Sequence, residues 1–159
     1  MKILIATDGS AHSKAAVKEF AKRSFDSKIS VRIISVIDKV ELSRNIGTMM
    51  VSNDYSTLIE TNALKAANDA IEYAAKILRE KNPSLTITTS VIDGSPKNAI
   101  LEEADTFGAD LIIVGSHGYG AIERFMLGSV SHAVSLHAKC SVEIVRIKNS
   151  KKNNQSKIS

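Results

Sequence analysis

DLIIVGSHGYGAIERFMLGSVSHAV (residues 110–134) carries an apolar run into glycines at 115, 118 and 128, then closes on Ser129 and Ser131. The run 110–116 has the length and Ile/Val content of a strand covered on both faces, the kind that parallel sheets are built from. Gly115 and Gly118 remove side chains where a backbone could come close to a ligand. Gly128-Ser129-Val130-Ser131 reads as the start of a helix, whose free N–H groups and dipole favour an anion. Two readings of the stretch stand side by side: a cradle for phosphate, or a turn and helix cap built from glycine and serine.

Four further apolar runs alternate with helix-like segments: KILIAT (2–7), SVRIISVID (30–38), LTITTSVID (85–93) and SVEIVRI (141–147). Residues 11–24 place Ala15, Ala16, Phe20 and Val17, Ala21 at helical spacing. Residues 57–81 carry a longer stripe through Leu64, Ile71, Leu78 and Ala63, Ala67, Ala70, Ala74, Ile77, stopped by Asn82-Pro83. Ser95-Pro96 reads as an N-cap followed by proline at the first helical position, opening a helix to about residue 107. A last helix is expected from 128 or 129 to about 138. Strict alternation of strand and helix predicts one α/β domain: a doubly wound, five-stranded parallel sheet with helices on both faces. The stretch 38–56 is the one long connection without clear periodicity, either a lid or a mobile insertion. Within it Met49, Met50 and Val51 could pack over a ligand or a partner.

Composition narrows the function classes. At 159 residues, 43% hydrophobic and 24% charged, the chain suits a single globular domain. The run after Met1 is strand-like, and no apolar run approaches membrane-spanning length, so a cytoplasmic protein without membrane contact is expected. The four lysines of residues 148–159 account for the whole net charge of +4, leaving residues 1–147 neutral. That divides the chain into a domain over 1–147 and a basic, disordered tail over 148–159. A neutral body does not suggest a specific nucleic-acid partner. The single cysteine, Cys140, reads as a small apolar residue beside a strand and excludes a disulfide framework.

In open α/β sheets ligands sit at the carboxyl ends of strands, where strand order reverses. Two strand ends here are polar: Thr7-Asp8-Gly9-Ser10 and Gly115-Ser116-His117-Gly118. If those strands are neighbours, Asp8 and the glycine loop share one crevice. The loop is neither a Walker A sequence nor a dinucleotide fingerprint, since neither GxxxxGK[ST] nor GxGxxG occurs. The histidines lack zinc-ligand spacing, and no serine sits in GxSxG. Glu102-Glu103 reads as a solvated helix face. Arg124 is the one cation of the glycine segment, and a surface position explains it better than a γ-phosphate contact.

The spacing Gly115-x2-Gly118-x9-Gly128-Ser129 is similar to that of the universal stress protein family, in its ATP-binding branch. The likeness extends in order through ILIATDGSAHSKAAV, ISVID, DGSP, DLIIVGSHG and LGSVS, over most of the chain. The resemblance implies the strand order 3-2-1-4-5 and a nucleotide site. Ala6 stands where many members have proline, and Thr7 and Asp8 beside it would line the adenine and ribose. Val36 resembles the strand residue whose backbone recognises adenine. Val114, Gly115, His117 and Gly118 would run beside ribose and phosphates, and Gly128, Ser129, Val130 and Ser131 would hold the phosphates. ATP, or ADP or AMP, is the expected ligand, with Mg²⁺ bridging phosphate oxygens and no metal held by the protein alone.

Phosphoryl transfer needs charge clamps and a positioned nucleophile. The sequence offers a cradle and little else, so no catalytic residue is assigned, and slow ATP hydrolysis is the most to be expected. The resemblance also implies a homodimer through the last strand, with Val142, Ile144 and Arg146 at the interface. An edge strand of that kind exposes unpaired backbone groups. The function expected is that of a dimeric, nucleotide-dependent stress-response regulator. Two alternatives remain: an ATP-hydrolysing or adenylyl-transferring enzyme of this architecture, and a nucleotide-free dimerisation module whose glycine turn is structural.

Overall fold

The computed structural model describes residues 1–25, 28–45, 53–118 and 127–147. In chain order the elements are β1 (Lys2–Ala6), α1 (Ala11–Ala21), β2 (Ser30–Ile37), α2 (Lys39–Asn45), α3 (Asn53–Lys81), β3 (Thr86–Asp93), α4 (Pro96–Phe107), β4 (Leu111–Gly115), α5 (Ser129–His137) and β5 (Ser141–Val145). The five strands form one parallel sheet in the order β3-β2-β1-β4-β5, the order expected.

The side-chain alternation of β1 shows how the layers close. Ile3, Leu4 and Ile5 are all fully buried. Ile3 and Ile5 join Val17, Phe20, Ile71 and Leu78 beneath α1 and α3, whereas Leu4 joins Ile100 and Val134 beneath α4 and α5. Successive side chains of a strand point to opposite faces, so a continuous apolar run places core on both sides. Each such side chain contributes roughly 1.5–3 kcal/mol by leaving water.

Helix ends follow local chemistry. Ser10 caps α1, its hydroxyl accepting from Ser13 N at 3.3 Å. The helix stops at Ala21, three residues before the sequence limit, because Lys22 and Arg23 donate to carbonyls three residues back and tighten the last turn. Pro96 opens α4 as expected, although the Ser95 side chain makes no capping bond, and Gly108 ends the helix in the left-handed region at φ 67°.

Two parts of the sequence reading change. The stretch 38–56 is not one irregular connection: α2 occupies Lys39–Asn45 and α3 begins at Asn53. A single capping carboxylate starts α2, with Asp38 Oδ1 accepting from Glu41 N at 2.9 Å. So short and polar a helix leaves no periodic stripe. The first turns of α3 are likewise polar, with Thr57 and Glu60 exposed. The second change concerns coverage, because β3 lies at a sheet edge with Thr86, Thr88, Thr89 and Ser90 exposed. Met49, Met50 and Val51, Gly120 and Arg124, and the basic tail lie outside the described residues. No described helix is long and apolar enough to cross a membrane.

Candidate functional site

β1 is shorter at its carboxyl end than β2. Its pairing with β2 ends at Ala6 opposite Ile34, while β2 continues to Ile37 alongside β3. Thr7 N donates to Ile34 O at 2.9 Å, and the chain then turns away through Asp8 and Gly9. The early end of β1 leaves a cleft of about 740 Å³ between the tips of β2 and β4. All twelve residues anticipated at the site line it: Ala6, Thr7, Asp8, Val36, Val114, Gly115, His117, Gly118, Gly128, Ser129, Val130 and Ser131.

On the β2 side the backbone is the polar group. Alternate residues of a strand turn their N–H and C=O to the same side. Ile34 O faces β1, and Ile37 O faces β3, where it accepts from Gly94 N at 3.0 Å. The N–H and C=O of Val36 therefore point to the side that β1 has vacated, into the cleft.

On the β1 side a turn carries hydroxyls and a carboxylate. Asp8 Oδ1 accepts from Ser10 N at 3.0 Å, and Gly9 adopts φ 80°, a conformation that suits glycine. Beneath the turn, Thr7 Oγ1 donates to Ser13 Oγ at 3.1 Å, and Ser13 Oγ to Ser10 O at 3.1 Å.

On the β4 side one carbonyl fastens the loop to the helix that follows. Ser116 O accepts from Gly128 N at 2.8 Å and from Ser131 Oγ at 3.0 Å. The Ser131 hydroxyl, expected as a phosphate donor, is 3% exposed and is turned to that carbonyl and to Gly128 O. It shapes the cradle from behind. Ser116 Oγ is hydrogen-bonded to His117 Nδ1 at 3.1 Å, and the His117 ring lies 5.0 Å from that of His12. Helix α5 starts at Ser129 with no side chain among the described residues capping it, and its first helical bond is His132 N to Gly128 O. The amides of Ser129, Val130 and Ser131 thus form an N-terminus open to an anion.

The three glycines serve different ends. A Cβ on Gly115 would meet the His12 and Ser13 backbone at 2.7 Å, so this glycine admits α1 rather than a ligand. One on Gly128 would press on His117 Cα and Ser116 O at 3.2 Å. One on Gly118 would meet Asp8 Oδ2 at 2.8 Å and no described backbone. Only Gly118 borders the cleft with nothing but a side-chain tip in the way.

The sequence reading missed part of the lining. Ser35, Asp38, Glu41, Ala63, Ala66 and Ala67 also face the cleft. Ala63 and Ala67 belong to the helical stripe, but nothing in a periodic pattern says which turn of α3 overhangs a strand end. Neither lysine nor arginine is among the described lining residues, and its acids are Asp8, Asp38 and Glu41. A hollow of about 610 Å³ adjoins beyond α2, also touching Asp38 and Glu41. Its Lys39 is already paired, 2.7 Å from Asp93 and 3.9 Å from Glu60. The hydrogen bond to Asp93, then that carboxylate's charge, raise the Lys39 pKa. No described cluster of three or more His, Cys, Asp or Glu could hold a metal.

A doubly wound sheet with its crevice between the tips of β2 and β4 defines a class of α/β binding proteins. Within that class the sequence model of the universal stress protein family matches residues 1–146. The chain belongs to the universal stress protein family. It is similar to universal stress protein YxiE of Bacillus subtilis, 32% identical over 147 residues that make up 91% of this chain and 98% of that one. Among solved structures, hypothetical protein MJ0577 superposes with a TM-score of 0.77 at 26% identity, covering 94% of this chain and 97% of that one. A universal stress family protein of Arabidopsis thaliana, solved with AMP bound, shares the fold at TM-score 0.67 and 16% identity, covering 98% and 97%.

Proposed function

We propose that the cleft binds an adenine nucleotide, and that the chain acts in the cytoplasm as a dimeric, nucleotide-dependent regulator. One observation carries this reading: the open backbone edge of Val36 and the uncapped N-terminus of α5 face each other across a short strand. Strands flanking a common neighbour lie about 9–10 Å apart, roughly the reach from a nucleobase to its first phosphates. A base offering one donor and one acceptor on its edge suits Val36, and phosphates suit the amides of Ser129–Ser131. Solved family members hold AMP, cAMP and dAMP. At 16–24% identity that likeness is one of fold, so the case for this chain rests on its own cleft.

The electrostatics point to Mg²⁺ travelling with the nucleotide. A triphosphate brought beside Asp8 without a lysine or arginine among the described lining residues needs a counter-ion. Magnesium takes oxygen ligands and retains waters. Phosphate oxygens with the Asp8 carboxylate nearby suit it, and the ion neutralises the phosphate charge. The chain's own groups orient the nucleotide: backbone at Val36, amides at α5 and the Asp8 turn. We read the protein as a binder with slow hydrolysis at most, its domain spanning 1–147.

The test is the nucleotide content of freshly purified protein, released by denaturation and resolved by anion exchange. Calorimetric titration with ATP, with and without Mg²⁺, completes it. Stoichiometric adenine nucleotide, or micromolar binding weakened by chelating the metal, is the expected result. An empty cleft that also ignores added Mg-ATP overturns the reading in favour of a dimerisation module.

A further inference from the structure

Six polar residues are buried among those described: Thr7, Ser10, Ser13, Ser35, Ser116 and Ser131. Five have a partner for their hydroxyl. Thr7 and Ser10 bond to Ser13, Ser13 bonds to a carbonyl, Ser116 to His117, and Ser131 to Ser116 O and Gly128 O. Ser35 is the exception. It is 3% exposed, and among the described residues its hydroxyl has no hydrogen-bond partner. A hydroxyl without a partner in the protein takes its hydrogen bonds from whatever occupies the space beside it.

The surroundings indicate the use. No described side-chain oxygen is shut off from both partner and solvent. The Ser35 hydroxyl therefore reaches space, and the space that Ser35 lines is the cleft. Ile33 packs beneath α1 and α3, so Ser35, two residues on, faces the same side. That side is walled by Ala63, Ala66 and Ala67 of α3, which line the cleft without filling it. Ser35 directly precedes Val36, at the opposite end of the cleft from α5 and the Gly118 loop.

The structure assigns Ser35 as a base-recognition residue: its hydroxyl supplies a side-chain hydrogen bond to the nucleobase beside the backbone groups of Val36. The assignment rests on the reading of the cleft as a nucleotide site. A hydroxyl both donates and accepts, so it can meet a ring nitrogen or an exocyclic amine. The alanines of α3 leave the flat ring room above it. Phosphate is the wrong occupant here, because the open amides that suit an anion lie at α5, two strands away.

The test is Ser35→Ala in the full chain, with affinities for Mg-ATP, adenosine and tripolyphosphate measured by titration, and the unliganded Tm alongside. Loss of one hydrogen bond is expected to weaken Mg-ATP and adenosine alike by about five- to tenfold. Tripolyphosphate binding and the unliganded Tm are expected to stay at wild-type values, because the hydroxyl has no partner to lose. Wild-type affinity of the variant for Mg-ATP overturns the assignment while leaving the nucleotide site standing. A loss shared by tripolyphosphate, or one absent with adenosine, overturns it too, since the hydroxyl would then serve the phosphates or the fold. Failure of the wild-type protein to bind any of the three overturns the nucleotide reading itself.

Discussion

Replacing Gly115 and Gly118 separately by alanine divides the glycine loop into its structural and its binding parts. At Gly115 the new methyl would lie 2.7 Å from His12 C and Ser13 N and 2.9 Å from His12 O. Carbon contacts are most favourable near 3.5–4.0 Å, so the overlap is about 0.8 Å or more. Neither side can retreat easily. The first turn of α1 is fixed by its Ser10 cap, and Gly115 is paired with Val145 in the sheet. Overpacking of this kind costs about 1–3 kcal/mol, and contact with backbone puts it at the upper end. For a domain of this size that corresponds to a Tm lower by roughly 5–10 °C. At Gly118 the methyl would meet Asp8 Oδ2 at 2.8 Å, a side-chain atom of an exposed residue, and no described backbone. That variant should lose less than about 1 kcal/mol of stability, yet bind nucleotide on the order of tenfold more weakly, because the methyl stands in the cleft. Urea unfolding of the unliganded proteins and calorimetric titration with Mg-ATP read the two effects. A Gly115→Ala protein as stable as wild type would refute the contact argument, and unchanged affinity in Gly118→Ala would move the ligand away from that loop.

Ser131→Ala removes the hydroxyl bonded to Ser116 O and Gly128 O, and should cost about 1 kcal/mol by urea unfolding together with a few-fold loss of Mg-ATP affinity. An unmoved unfolding midpoint would show that Gly128 N alone fastens the loop. At the β5 edge, Val142 and Ile144 are half-buried and Arg146 is exposed. A Val142→Glu substitution should shift the species seen by sedimentation equilibrium from dimer to monomer, and a monomeric wild type would remove the proposed interface. Burial raises the Cys140 thiol pKa, helped by the negative charge of Asp105 and then Asp110. The folded state therefore favours the protonated thiol, an advantage held below the ordinary cysteine value and lost as pH climbs through the raised one. Alkylation at pH 8 should be slower in the folded protein than in urea, and equal rates would contradict the burial.

Much of the fold was legible because its signals are local and repeated. Apolar runs at β1 and β4, the Ser95-Pro96 helix start and the Asn82-Pro83 stop each act within a few residues of themselves. The positions that escaped reading depend on distant partners. The limits of α1 were set by a tightened last turn, and α2 by one aspartate that could equally have capped a turn. That β3 would be exposed follows from its place at the edge, which no residue within it encodes. At the site, the polar strand ends named the crevice, but Ser35 and the alanines of α3 came into view only once α3 was seen to overhang β2. The use made of the Ser131 hydroxyl was hidden for the same reason, because the carbonyl that accepts it lies fifteen residues earlier.

The glycine pattern itself weighs less as a nucleotide signal than it first appears. Any chain that packs α1 against the end of β4 this closely needs glycine at 115, whether or not a ligand is present. Gly128 is required nearly as firmly, by the backbone of Ser116 and His117. A dimerisation module with the same packing would keep both. What such a module would not need, among the described residues, is an α5 N-terminus without a capping side chain, a Val36 backbone edge left beyond the end of β1, and a Ser35 hydroxyl with no protein partner. Each is a polar group without a partner among the described residues, and each faces the same cleft. A ligand can offer each of these groups the hydrogen bond that water otherwise makes, so three around one cavity argue for a ligand more strongly than three glycines in one segment do.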